Sequence, residues 1–275
     1  MVATFRPWIL AATLGFVAAA PVTTAVAQPK PEAPAALDLE ALKEDLESGV
    51  TRRVRDALQD VYEAGPAGRA AAPLVDDLLR RGASGPLVLQ ALGVVQKLGV
   101  PASSAAAAPY LKHRSADVRY AAVLALGATG GPTAIRALRS GLRSGDAQVR
   151  RGCATALGNQ NAPEAVADLL AALEHGIGEA AISVGKLCQP ADCKKFTELL
   201  GKQPFRLMTA GFDGILFRPK GKLKDEAKLA LIERLRAVAS PEVARYLSGV
   251  AQRWPRGGNR KVKRAIDQAV KELNQ

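Results

Sequence analysis

Two stretches of the chain, 31 residues apart, carry the same pattern. Ala116-Asp-Val-Arg-Tyr-Ala-Ala-Val-Leu-Ala-Leu-Gly127 returns as Ala147-Gln-Val-Arg-Arg-Gly-Cys-Ala-Thr-Ala-Leu-Gly158. Val118 corresponds to Val149, Arg119 to Arg150, Leu126 to Leu157 and Gly127 to Gly158. A unit of this size is one helical hairpin. It cannot bury its apolar face alone and becomes stable by stacking on copies of itself. The period therefore sets an all-α expectation: an α-solenoid of stacked hairpins, an architecture that serves as an extended binding scaffold.

The rest of the chain agrees with helix. Alanine and leucine dominate, and both favour helix. Aromatic residues make up only 4%. Prolines and glycines fall at intervals between apolar-periodic stretches, where turns belong. Leu39 to Ala64 reads as one long helix or as two joined near Gly49. Ala70 to Arg81 places Leu74, Val75 and Leu78 on one stripe, with Asp76, Asp77, Arg80 and Arg81 facing out. Ser115 is expected to cap the helix to Ala128, and Asp146 the helix to Gly158. A weaker copy runs Ile177 to Cys188 and Pro190 to Gly201. Beyond it, Phe205–Phe217, Lys224–Val238, Pro241–Trp254 and Asn259–Leu273 read as four less regular helices.

These motifs carry a family resemblance. Asp117-Val118-Arg119, then Ala125-Leu126-Gly127, then a turn with Pro132, resembles the HEAT repeat in its short bacterial form, also called PBS-lyase HEAT-like. Val149-Arg150, Ala156-Leu157-Gly158 and Pro163 repeat it, with Asp146 shifted by one position. Thr51-Arg-Arg-Val54-Arg55-Asp-Ala57-Leu58 is a partial match. The resemblance implies a right-handed superhelix in which the Asp and Arg pair within or between repeats. It makes Arg119 and Arg150 structural rather than ligand-binding. It divides the chain into HEAT-like repeats over 39–203 and a divergent, basic set of helices or cap over 204–275.

The N-terminus has the pattern of a secretory signal. One positive charge at Arg6 precedes an apolar run from Trp8 to Ala20, which ends at Pro21. Ala25-Val-Ala27 supplies small residues for a peptidase, so residues 1–27 are expected to be removed after Ala27. The run is shorter than the ~20 residues of a spanning helix. Residues 28–38 contain three prolines and read as a flexible leader. A periplasmic or secreted protein, monomeric, is the expectation.

Cysteines fit an oxidising compartment. Cys188 and Cys193 bracket a turn between two helices and are expected to form a disulfide rather than to remain free or hold a metal. A loop this small adds roughly 2 kcal/mol in the chain-entropy account. Cys153 lies inside a repeat helix, where a buried, inert thiol is expected. No nucleophile elbow, phosphate-cradling glycine loop or His-Glu-x-x-His is present, and His113 and His175 are the only histidines. No cofactor or metal is implied.

Charge is the remaining clue. Residues 201–275 hold 17 Lys and Arg against 7 Asp and Glu, which is most of the net charge of +12. Two clusters dominate: Arg218, Lys220, Lys222 and Lys224, and then Arg253, Trp254, Arg256, Arg260, Lys261, Lys263 and Arg264. Such a field attracts acidic partners and polyanions and fades with salt. Export turns this away from nucleic acid. Two functions follow. One is a non-catalytic scaffold that holds a protein partner on a curved surface built from the second helices of the hairpins. The other is a binder of anionic envelope material, lipid headgroup or polymer, through the basic C-terminal region, where Trp254 is either an anchor or a plug closing the last hairpin. An enzyme with a site assembled across distant repeats is the third reading.

Overall fold

The computed structural model describes residues 37–219 and 221–275. The expected signal peptide over 1–27, nearly all of the leader over 28–38 and Lys220 lie outside the described residues. The described chain is helical throughout. Leu39–Glu47 (α1) and Thr51–Glu63 (α2) are separate helices. Gly49 between them has a φ of +69°, which breaks the helix that the apolar period alone would continue. A 3₁₀ segment, Gly65–Ala71, leads into Ala72–Arg81 (α3) and Gly85–Leu98 (α4). Ser104–Ala107 (α5) is a short helix between 3₁₀ turns. Ala116–Thr129 (α6), Gly131–Gly141 (α7), Ala147–Asn159 (α8) and Val166–Glu174 (α9) are the two clear repeats. Gly178–Leu187 (α10), Pro190–Thr197 (α11), Phe205–Leu216 (α12), Asp225–Val238 (α13), Pro241–Arg253 (α14) and Arg260–Leu273 (α15) continue the stack to the end.

The helices form two rows. α2, α4, α6, α8, α10, α12 and α14 follow one another as the first row; α1, α3, α5, α7, α9, α11, α13 and α15 make the second. One continuous core runs between them. The motif residues Val118, Leu126, Val149 and Leu157 are all buried in it. Cys153 is buried as well, and burial pushes its thiol up to about 12.

Small residues in the first row bring backbones together. A Cβ at Gly158 would stand 2.2 Å from the Ser183 hydroxyl oxygen, and one at Gly185 would stand 2.2 Å from the Gly211 carbonyl oxygen. The first helices of the hairpins, which carry the Val-Arg and Leu-Gly motifs, form one face of the stack, and the second helices form the other. The α10–α12 crossing also spans the compositional boundary at 203/204, so the basic C-terminal helices extend the same stack.

Polar rungs with nearly the repeat period tie the units together. Arg119 donates to Asp146 at 2.6 Å and to the carbonyls of His113 and Arg114. Asp146 itself caps α8 by accepting from Gln148 and Val149 N–H. The Arg119 guanidinium is the main reason the Asp146 carboxyl lies below its ordinary range. Asp117, the motif acid, stays exposed. Arg150 donates to the Ser144 carbonyl at 2.7 Å. Arg139 on α7 and Arg143 just beyond it reach Asp168 on α9. Ser115 occupies the cap position of α6, but its hydroxyl makes no capping bond; its own N–H donates to His113 Nδ1 instead.

Asp76 does not face out as its helical position suggests. It is 4% exposed, and it accepts from the Ser103 hydroxyl at 3.0 Å. Its second oxygen has no partner among the described residues. Burial raises its carboxyl above the ordinary value, against the smaller opposing pulls of Ser103 and Arg80. A raised acid favours the folded state fully below the unfolded value, near pH ~4, and that contribution is lost as pH rises through the folded value. Asp76→Asn should therefore melt above the parent at pH 7, and the gain should vanish at about pH 3. Thermal melts at both pH values read this directly. An equal difference at both would mean the carboxyl titrates normally.

Candidate functional site

The face formed by the first row carries the features of a docking surface. Leu124 on α6, Thr155 on α8 and Ile182 on α10 occupy equivalent positions, three residues before Gly127, Gly158 and Gly185. All three are exposed; Leu124 is 38% and Ile182 40% accessible. They sit just outside the buried Leu126, Leu157 and Val184, because successive helical positions point about 100° apart. A groove of about 500 Å3 lies beside them, lined by Gln96, Tyr120, Leu124, Arg151, Thr155 and Glu179 among others. Arg151 and Glu179 stand 3.9 Å apart across it. Farther along the row, Tyr62 on α2 is exposed, with the Lys97 ammonium 5.4 Å from its ring centre. Exposed apolar side chains in a row, edged by charges, are what a protein-binding patch presents.

A larger groove of about 800 Å3 opens on the second row between residues 105–112 and α7. It exists because α5 is cut short by 3₁₀ turns at Pro101 and Pro109, and its walls are mostly alanine, proline and serine. It offers no large exposed apolar side chain, only the exposed cations Lys112 and Arg143.

The expected basic surface is reorganised by the structure. Arg218 is no free cation. It is half-buried and caps α10, donating to the Cys188 carbonyl at 2.7 Å and to the Gly185 carbonyl. Gln160 does the same for α6, donating to the Leu126 and Gly127 carbonyls, so this is a recurrent device of the stack. Burial lowers the Arg218 guanidinium from its ordinary value. Arg253 is also engaged: it forks onto Asp213 at 2.9 and 3.2 Å and lies over the Phe217 ring. Lys263 pairs with Asp267 one turn on. Lys222, Lys224, Arg256, Arg260, Lys261 and Arg264 remain exposed.

Trp254 is partly buried and packs on Phe217 with ring centres 5.5 Å apart, which is a packing role. The disulfide joins Cys188 to Cys193 with Cα atoms 5.2 Å apart, fixing the α10–α11 turn against which Arg218 docks.

Sequence reasoning missed Lys228. It is 4% exposed, and its ammonium donates to the Arg218 carbonyl at 2.5 Å. Its only signal was a lysine among core positions of an amphipathic helix. It lines a cavity of about 390 Å3 together with Arg218, Trp254, Asn259, Arg260 and Lys261, so the two basic clusters meet there. Among the described residues, no group of three or more His, Cys, Asp or Glu is placed to hold a metal, and no helix is long and apolar enough to cross a membrane.

Known proteins agree on the fold. A model of HEAT repeats matches residues 73–152 and 135–211. An engineered protein of the Northeast Structural Genomics Consortium superposes at a TM-score of 0.50 and 15% identity, over 86% of this chain and 68% of that one. The complex of CpcE and CpcF of phycocyanin lyase from Nostoc sp. PCC7120 gives 0.44 at 18% identity, over 90% and 97% of the two chains. A designed armadillo repeat protein in complex with the peptide (KR)4 gives 0.41 at 15% identity, over 87% and 100%. At these identities the likeness is one of fold. No curated protein matches the sequence.

Proposed function

The chain belongs to the HEAT repeat family, and on that premise we propose that it is an exported, non-catalytic scaffold holding a protein partner along the face formed by the first helices of its hairpins. The observation that carries this reading is the exposed row of Leu124, Thr155 and Ile182 beside the groove on α4, α6, α8 and α10. Isolated exposed leucines are ordinary, whereas equivalent positions left exposed on successive repeats give a partner one continuous strip. A rigid stack loses little conformational entropy when it binds, so modest contacts on several repeats add to a useful affinity. Export rests on the composition of residues 1–27 and on the paired Cys188 and Cys193.

The test is Leu124→Glu combined with Ile182→Glu. Both side chains already meet water, so the melting temperature should stay within a few degrees of the parent, consistent with less than about 0.5 kcal/mol each. Affinity for a captured partner should fall by 100-fold or more, about 2.7 kcal/mol, because two carboxylates would be buried unpaired. Retained affinity in a folded double variant would move the docking face elsewhere.

A further inference from the structure

We propose that the cavity between α12, α13 and the α14–α15 turn is a binding site for one phosphate monoester. Its lining holds four cations, Arg218, Lys228, Arg260 and Lys261, against one carboxylate, Asp225. Asp225 is turned to a neighbour, accepting from the Asn259 side-chain amide at 2.5 Å. The excess positive charge suits a dianion better than a carboxylate.

Donors in the site lack acceptors. An ammonium carries three N–H groups. Lys228, almost fully buried, uses one of them on the Arg218 carbonyl, the single acceptor it has among the described residues. Arg218 Nε and Trp254 Nε1 are buried without a partner among the described residues. A buried donor left unpaired costs about 1–3 kcal/mol. Arg218 Nε and Trp254 Nε1 are closed off in the wall, so the donors open to an oxyanion are the remaining N–H groups of Lys228. The start of α15 borders the same space at Arg260 and Lys261; Asn259 already caps its Lys261 and Val262 N–H groups, so the helix adds the field of its positive end rather than free donors. Burial holds the Lys228 ammonium below its ordinary value, and a dianion beside it would reverse that shift.

The cavity is too large for a bare ion. At about 390 Å3 it lies in the range of small-molecule sites. Phe217, Pro219, Trp254 and Pro255 form its apolar walls. These suit the carbon body of an ester, with its phosphate held at the cationic end.

Trp254 reports on the site. Trp8 is the only other tryptophan, so the full chain carrying Trp8→Phe has one fluorophore, in the cavity wall. Glycerol phosphate should change its emission saturably, and sodium chloride at equal ionic strength should not. Lys228→Met should weaken binding at least about tenfold, equivalent to ~1.4 kcal/mol. Because Lys228 is buried, Arg260→Gln with Lys261→Gln is the companion variant. Both residues are exposed, so this variant should melt with the parent and still bind several-fold more weakly. Vesicles containing phosphatidic acid locate the source. A response to vesicles but not to glycerol phosphate makes the ester a lipid headgroup, whereas a response to glycerol phosphate makes it a soluble metabolite class. A response to neither, a change matched by chloride, or companion variants that bind like the parent would overturn the site.

Discussion

Gly185→Val should unfold the middle of the stack, lowering stability by about 3 kcal/mol or more. A Cβ on Gly185 would stand 2.2 Å from the Gly211 carbonyl oxygen and 2.7 Å from its Cα. Both are backbone atoms of α12, so no side chain can swing aside. Relief requires α10 and α12 to separate, and Gly214, which packs against Gly185 in return, would lose its contact too. The core on either side, Val184 and Phe212 among it, would open to water. Gly93→Ala and Gly249→Ala are the controls. These helical glycines have open space where the Cβ would go, so alanine should be neutral or stabilising by up to about 1 kcal/mol. Urea unfolding separates the cases. A Gly185→Val protein as stable as the parent would mean that α10 and α12 do not cross at this point.

The second large effect is expected at Arg218. Arg218→Ala should cost about 2–3 kcal/mol, because it strips the cap from α10 and leaves the Gly185 and Cys188 carbonyls without their donor. Lys222→Ala and Lys224→Ala, a few residues along the same basic loop, should change stability by less than about 0.5 kcal/mol each, since both side chains are exposed. A composition-based reading treats the four basic residues of this loop as equivalent. Chemical denaturation of the single variants distinguishes the two views, and three equal small effects would return Arg218 to the surface.

These two residues show where a sequence is legible and where it is not. The hairpin period, the buried Val118, Leu126, Val149 and Leu157, and even the last four helices follow from local pattern, because apolar spacing and Pro/Gly punctuation act within a few residues. What decides Arg218 lies 30 to 33 residues earlier, on the previous unit. The burial of Asp76 has the same origin: its partner, Ser103, is 27 residues on, in the 3₁₀ turn before α5. Lys228 is held by the carbonyl of Arg218 itself, so its burial depended on a cap that local pattern did not contain. Helical periodicity fixes which face of a helix is buried, but not how closely neighbouring units approach; the close crossings at Gly158 and Gly185 depend on contacts with the next unit.

The roles of the C-terminal quarter change accordingly. Removing residues 201–275 would take away α12 and bare the packed side of α10, so a truncated chain would report lost folding rather than lost binding. Full-length variants are the sounder instruments. The scaffold reading is tested most directly by affinity capture from an envelope extract of the protein's own source, run at about 0.1 and 0.5 M salt, where the Debye length shortens from ~10 Å to below 5 Å. The parent chain should retain one protein at both salts, and the Leu124→Glu/Ile182→Glu chain should retain it at neither. A mixture of acidic proteins, polymer or lipid that binds both chains alike and washes off at the higher salt would contradict a scaffold that binds through the first-row face.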